Sequence, residues 1–215
     1  MPLDFEKLTT SESQKRALAF YDLLKKRRTV RHFSQKKIPD TVIENCIKAA
    51  GTAPSGANKQ PWHFCVVKSS DLKHKIRLAA EKEEKQNYEA RFSSSFKQDI
   101  AKFETSFVKE FIDVAPAVIV IFKENYQIRN GVRYKNYYVN ESAGIASGIL
   151  IAALHNAGLA TLTHTPNPMK FLNDLLERPA NETPILLMPV GYPADDAMVP
   201  DLKRKPSWEI MHMYE

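Results

Sequence analysis

The chain has 215 residues, 43% of them hydrophobic and 26% charged, which suits one domain with a substantial core and excludes a collagen, a disulfide scaffold or a wholly disordered chain. Its seven glycines form neither G-x-G-x-x-G nor G-x-x-x-x-G-K-[ST], so both glycine-rich phosphate fingerprints are absent. Lys+Arg of 31 against Asp+Glu of 25 gives a formal charge of +6, but no RNA-recognition, zinc-finger or basic-zipper pattern accompanies the basic clusters at 25–28 and 203–205; an anionic small molecule is expected rather than nucleic acid.

Residues 1–10 read as a loose arm without an apolar signal segment. Ser11-x-x-Gln14 forms a capping box opening a helix to about Lys26. Asp40 is the N-cap of the next helix, whose apolar face is Val42, Ile43, Cys46, Ile47 and Ala50; Gly51 stands where a left-handed C-terminal residue belongs. A proline-bounded turn over 52–61 leads into a β-branched and aromatic strand over 62–68. Ser70 and Asp71 cap a long polar helix to about Phe92, and after a break at 93–95 a further helix runs to about Ile112. The run AVIVIF at 117–122 is a strand buried on both faces. The central apolar helix covers 137–156 and is closed by Gly158; its apolar stretch, 144–154, is too short for a bilayer. A strand over 159–163, a short helix over 171–176 and a strand over 185–190 follow. Strands alternating with helices, with no linker, indicate a single layered α/β or α+β domain over 1–215.

Six histidines (His32, His63, His74, His155, His164 and His212) give no H-E-x-x-H and no C-x-x-C partner, so no metal is expected. No G-x-S-x-G elbow is present, and Cys46 and Cys65 lie in apolar runs that suit small buried hydrophobes in a reduced cytosol. Arg27, Arg28 and Arg31, with Thr29 between them, offer guanidinium forks and a hydroxyl to a phosphate. The same residues also suit a solvated helix C-terminus, where cations are favoured. The small residues of the loop at 54–58 let backbone approach a ligand closely.

Taken together, Arg27-Arg28-Thr29-Val30-Arg31, GTAPSGANKQPWHFCVVK at 51–68, GILIAALHNAGLATLTHTP at 148–166 and MPVGYPADDAMVPDLKRKP at 188–206 resemble the flavin-dependent nitroreductase superfamily, and within it the iodotyrosine deiodinase family. The resemblance runs from Arg27 to Ile210 and implies an α+β fold, a mixed central β-sheet flanked by helices, in an intertwined homodimer with two FMN molecules at the subunit interface. It implies phosphate contacts from Arg27, Arg28, Arg31 and Arg204, with Thr29 nearby. Ser55 and Gly56 fall in its flavin-contacting loop. Thr163, His164 and Thr165 would run beside the isoalloxazine, the Thr165 hydroxyl near N5 tuning the cofactor and so counted as catalytic. Glu84, Tyr88 and Lys109 match positions that grip the zwitterion of a halotyrosine, and the Ala57 backbone N–H matches one that holds its phenolate.

The residues themselves bear on that assignment. Glu84 and Tyr88 are i, i+4 on an expected helix and share a face, and Glu84 with Lys109 is complementary to an α-amino acid head group. Taken alone, EKEEK at 81–85 is equally a solvated, salt-bridged face. The implied activity is FMN-dependent reductive dehalogenation, iodotyrosine to tyrosine plus iodide, with a mobile substrate lid over about 82–108. The alternatives are a broad-specificity FMN-dependent NAD(P)H nitroreductase or quinone reductase, and a non-catalytic flavin- or tyrosine-binding protein. The expected setting is cytoplasmic, with an external reductant that the sequence does not name and no membrane or nucleic-acid partner. His164 stands where the membrane-anchored animal enzymes tend to carry threonine, and 167–170 match poorly and receive no role.

Overall fold

The computed structural model describes residues 1–215. Its centre is β2 (Ala117–Glu124), whose six apolar residues are all buried. Alternation of side chains sends Ala117, Ile119 and Ile121 to one core, with Ile43, Cys46 and Ala50 of α2 (Asp40–Gly51) and Leu150 and Leu154 of α6 (Val139–Asn156). Val118, Val120 and Phe122 enter a second core, with Ile76 and Ala80 of α3 (Ser70–Gln86), Ile112 of α5 (Phe111–Val114) and Leu172 of α7 (Phe171–Leu175). A strand covered by helices on both faces must be apolar throughout, and each fully buried large side chain contributes about 1.5–3 kcal/mol.

β2 pairs antiparallel with β1 (Trp62–Val67) and β6 (Glu182–Gly191), and β5 (Ala160–Thr161) pairs antiparallel with β6, giving the order β1-β2-β6-β5. The sheet becomes mixed through one parallel bridge, Thr29 to Thr161, which fastens the arginine segment to the sheet edge. Just beyond β5, a bridge from His164 to Leu187 holds the next segment on β6. Gly191 is packed too closely for a side chain, since a Cβ there would sit 2.7 Å from Pro116 Cδ. No helix is long and apolar enough to cross a membrane.

Several element ends differ from the sequence expectation. The capping box of α1 (Thr10–Leu24) is Thr9 with Glu12, not Ser11 with Gln14: the Thr9 hydroxyl accepts from Glu12 N–H at 3.3 Å, while the Glu12 carboxylate accepts from Thr9 N–H at 2.8 Å. An ionised acceptor holds that end more firmly than an amide would. Pro39, not Asp40, is the N-cap of α2 and makes no side-chain cap; Asp40 is a first-turn acid. Gly51 is the last helical residue rather than a left-handed one, and the Thr52 hydroxyl donates to Ala49 O at 2.7 Å where the helix ends. Gly158, at φ +76°, does close α6.

The polar helix changes character after Gln86: Asn87–Arg91 is a π-helical turn, then α4 (Ser94–Ala101) ends well short of Ile112. Two contacts pull 102–110 out of helix: the Lys109 N–H donates to Glu81 Oε1 at 2.7 Å, and the Tyr88 hydroxyl meets Thr105 Oγ1 at 2.9 Å. An exposed hairpin of β3 (Tyr126–Arg129) and β4 (Val132–Lys135) was not expected, although Asn130-Gly131, with φ of 51° and 74°, is the turn signal for one.

Candidate active site

The chain leaves α1 at Leu24 and runs along the sheet edge, so Arg27, Arg28, Thr29 and Arg31 line a cavity of about 360 Å³ together with Thr163, Lys203 and Arg204. The C-terminal segment is strapped across it. Arg204 donates to Lys25 O at 2.8 Å and to Arg27 O at 2.6 Å, and Arg28 donates to Pro200 O. The arginines that pair with carboxylates are Arg16, Arg77, Arg91 and Arg178; Arg27, Arg28, Arg31 and Arg204 do not. Burial, then the like charges of Arg204 and Arg28, lower the pKa of Arg27, and burial lowers that of Arg31. Partly buried cations without a counter-charge repel one another, and a bound anion relieves that cost.

Arg31, Phe103 and Thr163 are shared with a second cavity of about 540 Å³. Glu84, from the last turn of α3, and Lys109, from the segment before α5, meet there with Oε2 and Nζ 3.1 Å apart. Both are almost fully buried, with side-chain exposures of 8% and 6%. Lys109 Nζ also donates to Ser106 O at 2.6 Å and stands 5.7 Å from the centre of the Tyr88 ring. Burial works to raise the Glu84 pKa, but nearby His164 and Lys109 outweigh it and the carboxyl stays below its ordinary range. Burial lowers the Lys109 pKa, only partly offset by Glu84.

Tyr88 lines the same cavity from the π-helical turn, not from a continuous helix. That turn is tied down by buried Asn87, whose amide donates to Asn167 O at 2.8 Å. Phe92, Phe96, Ile100 and Phe103 form the roof. Leu162 and His164 point inward while Thr163 and Thr165 are exposed on the cleft, the alternation of an extended segment.

The structure therefore brings together Arg27, Arg28, Thr29, Arg31, Thr163 and Arg204 at one end and Glu84, Tyr88, Lys109, His164 and Thr165 at the other. It does not bring Ser55, Gly56 or Ala57 to either cavity within one chain. That loop packs on the start of α6, where a Cβ on Gly56 would lie 2.8 Å from Tyr138 Cδ2 and 2.9 Å from Tyr137 O. Ala57, Asn58 and Gln60 in the loop all have left-handed φ near 50°, a strained backbone of the kind found at ligand sites. Sequence reasoning missed Asn87, Phe103, Thr105, Asn167 and Lys203. No local signal marks them, because they reach the cleft only through the broken helix and the C-terminal strap. Cys46 and Cys65 are free, and burial pushes both thiols up, away from thiolate chemistry.

An open cleft with a cationic end at the edge of a helix-covered sheet belongs to a known architecture. The nitroreductase family model matches residues 24–192, and the chain belongs to that family. Within it, the chain is 52% identical over 204 residues to the iodotyrosine deiodinase of Haliscomenobacter hydrossis, spanning 94% of this chain and 92% of that protein. It is 48% identical to human iodotyrosine deiodinase 1 over 213 residues, 98% of this chain and 74% of that protein. A crystal structure of oxidized iodotyrosine deiodinase bound to FMN and 3-iodo-L-tyrosine superimposes with a TM-score of 0.78 and 33% identity, covering 91% of this chain and 98% of that one.

Proposed function

We propose that the chain is an FMN-dependent reductive dehalogenase of halotyrosines, converting iodotyrosine to tyrosine and iodide. One observation carries the reading: a buried carboxylate and ammonium 3.1 Å apart stand at one end of a cleft whose other end holds guanidiniums with no counter-anion. The guanidiniums of Arg27, Arg28, Arg31 and Arg204, none of them paired with a carboxylate, suit with Thr29 a phosphate dianion, so the residues present fit FMN. Thr163 and Thr165, exposed along the cleft, would flank the ring system, the Thr165 hydroxyl hydrogen-bonding it and tuning its potential. When bound, FMN supplies the two electrons that, with one proton, replace carbon–iodine by carbon–hydrogen and release iodide.

This chain's side chains bind and orient the amino acid. Its ammonium takes the place of Lys109 beside Glu84, and its carboxylate takes the place of Glu84 beside Lys109. Each charge exchanges one opposite partner for another, so no charge is left bare in a buried site. Tyr88 lends its hydroxyl by releasing Thr105. The segment 82–108 acts as the lid, and closure of Phe92, Phe96 and Phe103 over the ring excludes water. Cleavage in this segment by limited proteolysis should slow when 3-iodotyrosine is present.

The 55–57 loop lies away from its own cleft, and a second copy's loop would complete the site, with Ser55 and Gly56 on the flavin and the Ala57 N–H on the phenolate oxygen. Exposed Leu18, Phe20 and Tyr21 on α1 and Trp208, Ile210 and Met211 near the C-terminus support such a homodimer. Dithionite-reduced protein mixed anaerobically with 3-iodotyrosine should release one iodide per flavin reoxidised. A protein that reoxidises with a nitroarene or quinone but leaves 3-iodotyrosine intact would instead be a general reductase.

A further inference from the structure

The exchange of ion pairs gives no part to His164, a buried polar side chain at the head-group end. It is 9% exposed, and neither ring nitrogen has a hydrogen-bond partner. Its main chain is pinned to β6: the His164 N–H donates to Leu187 O at 3.0 Å, and the Leu187 N–H donates to His164 O at 2.9 Å. Phe111 meets the ring edge-on, centroids 5.9 Å apart. Nε2 faces Glu84 Oε2 at 3.9 Å, about an ångström beyond hydrogen-bond length. A buried imidazole with both positions unfilled is costly, and such groups in native proteins have a reason to be there.

The charged groups around the ring come from three segments: Glu84 from α3, Lys109 from before α5, and Arg31 from the sheet edge. Burial, with the cations of Lys109 and Arg31 added, keeps the imidazole neutral despite Glu84. A neutral ring carries one N–H. Glu84 is the acceptor within its reach, and substrate binding removes Lys109 from that same oxygen, Oε2.

We infer that His164 is a positioning residue for the amino-acid head group: its Nε2–H takes up Glu84 Oε2 when Lys109 turns to the substrate carboxylate, and so keeps the Glu84 carboxylate aimed at the ammonium. The inference rests on the proposed halotyrosine reading. It extends the site's selectivity for a free α-amino acid over a bare halophenol from the ion pair to the imidazole, which acts only through Glu84. Because His164 acts through Glu84 on the head group, its effect belongs to binding rather than to the chemical step.

The test compares FMN-loaded, dithionite-reduced wild type, His164→Leu and His164→Gln on 3-iodotyrosine and on 2-iodophenol, which has no head group. His164→Leu should raise KM for 3-iodotyrosine roughly tenfold, with kcat moving less than about twofold, and should lower the preference for 3-iodotyrosine over 2-iodophenol by the same factor. His164→Gln keeps an N–H donor and should return KM to within about threefold of wild type. An unmoved KM in His164→Leu, equal losses on both compounds, or no rescue by glutamine overturns the assignment. Should His164→Leu fail to fold, His164→Met takes its place beside His164→Gln: a roughly tenfold rise in KM that glutamine does not share supports the role, and an unmoved KM overturns it. Wild type that turns over 3-iodotyrosine with KM indifferent to these changes removes only His164. Wild type inert to 3-iodotyrosine removes the underlying reading, and this inference with it.

Discussion

The two ends of the cleft solve opposite electrostatic problems. At the arginine end, Arg27, Arg28, Arg31 and Arg204 crowd like charges and pair with no carboxylate. At the other end, Glu84 and Lys109 neutralise each other at 3.1 Å in near-complete burial. One end gathers cations without a counter-charge; the other is neutralised within itself. A ligand for the first end stabilises the fold by relieving repulsion, whereas a ligand for the second must supply both charges at once. A zwitterion does so, and a simple anion or cation does not.

Breaking the self-paired end should have the largest effect. Lys109→Met leaves Glu84 buried without its cation and should lower unfolding free energy by about 3–5 kcal/mol in urea titrations. It should also lower kcat/KM for 3-iodotyrosine at least ~100-fold, since a charge-assisted bond to the carboxylate is lost. The double variant Glu84→Gln with Lys109→Met should recover most of the stability and none of the activity.

Acid attacks the same pair from its other member. Because the folded Glu84 pKa is depressed, its contribution is fully present above the ordinary carboxylate pKa and is lost as pH falls through the lower folded value. Asp113 has the same sign: burial raises its pKa, but His74 and Arg77 pull it lower overall. Stability measured by urea should therefore fall below about pH 4, and the double variant should show a shallower fall.

The like-charged end should respond in the opposite sense. Arg27→Ala removes one repelling cation, so the FMN-free protein should keep or slightly gain thermal stability, while FMN affinity falls roughly tenfold or more. Titration of flavin fluorescence at two salt concentrations checks both the loss and its screening. A loss of apo stability comparable with that of Lys109→Met would erase the contrast between the ends.

The smallest effect belongs to Tyr88→Phe. It deletes the hydroxyl shared with Thr105 and, in the bound state, with the head group, each worth about 1 kcal/mol. KM for 3-iodotyrosine should rise by about threefold to tenfold, read by iodide release at several substrate concentrations.

The two ends also differed in how far they could be read in advance. Arg27, Arg28, Thr29 and Arg31 sit within one short stretch, and their chemistry is written in consecutive residues. The head-group end is assembled from residues 84, 88, 109 and 164 on four separate segments, and its local sequence, EKEEK, looks like an ordinary solvated face. Only the resemblance to a family picked out the three residues Glu84, Tyr88 and Lys109. Nothing local showed that the helix carrying Tyr88 turns into a π-helical turn, because that turn depends on Asn87 bonding the distant Asn167 backbone. The hairpin at 126–135 was missed for a different reason: its strands alternate apolar and polar residues over only four positions each, too short a run to stand out, and Asn130-Gly131 is the strong signal between them.

By itself the sequence determined a layered α/β or α+β class, the doubly buried strand β2 and the grouping of Arg27, Arg28 and Arg31 in one short stretch, because periodicity, turn chemistry and charge act between near neighbours. Tertiary structure alone decided that Glu84 and Lys109 hold each other, that His164 faces them unpartnered, and that the 55–57 loop lies away from its own cleft. Those outcomes depend on which distant segments share one low-dielectric space, and there a contact's energy is set by burial and geometry that no local pattern encodes.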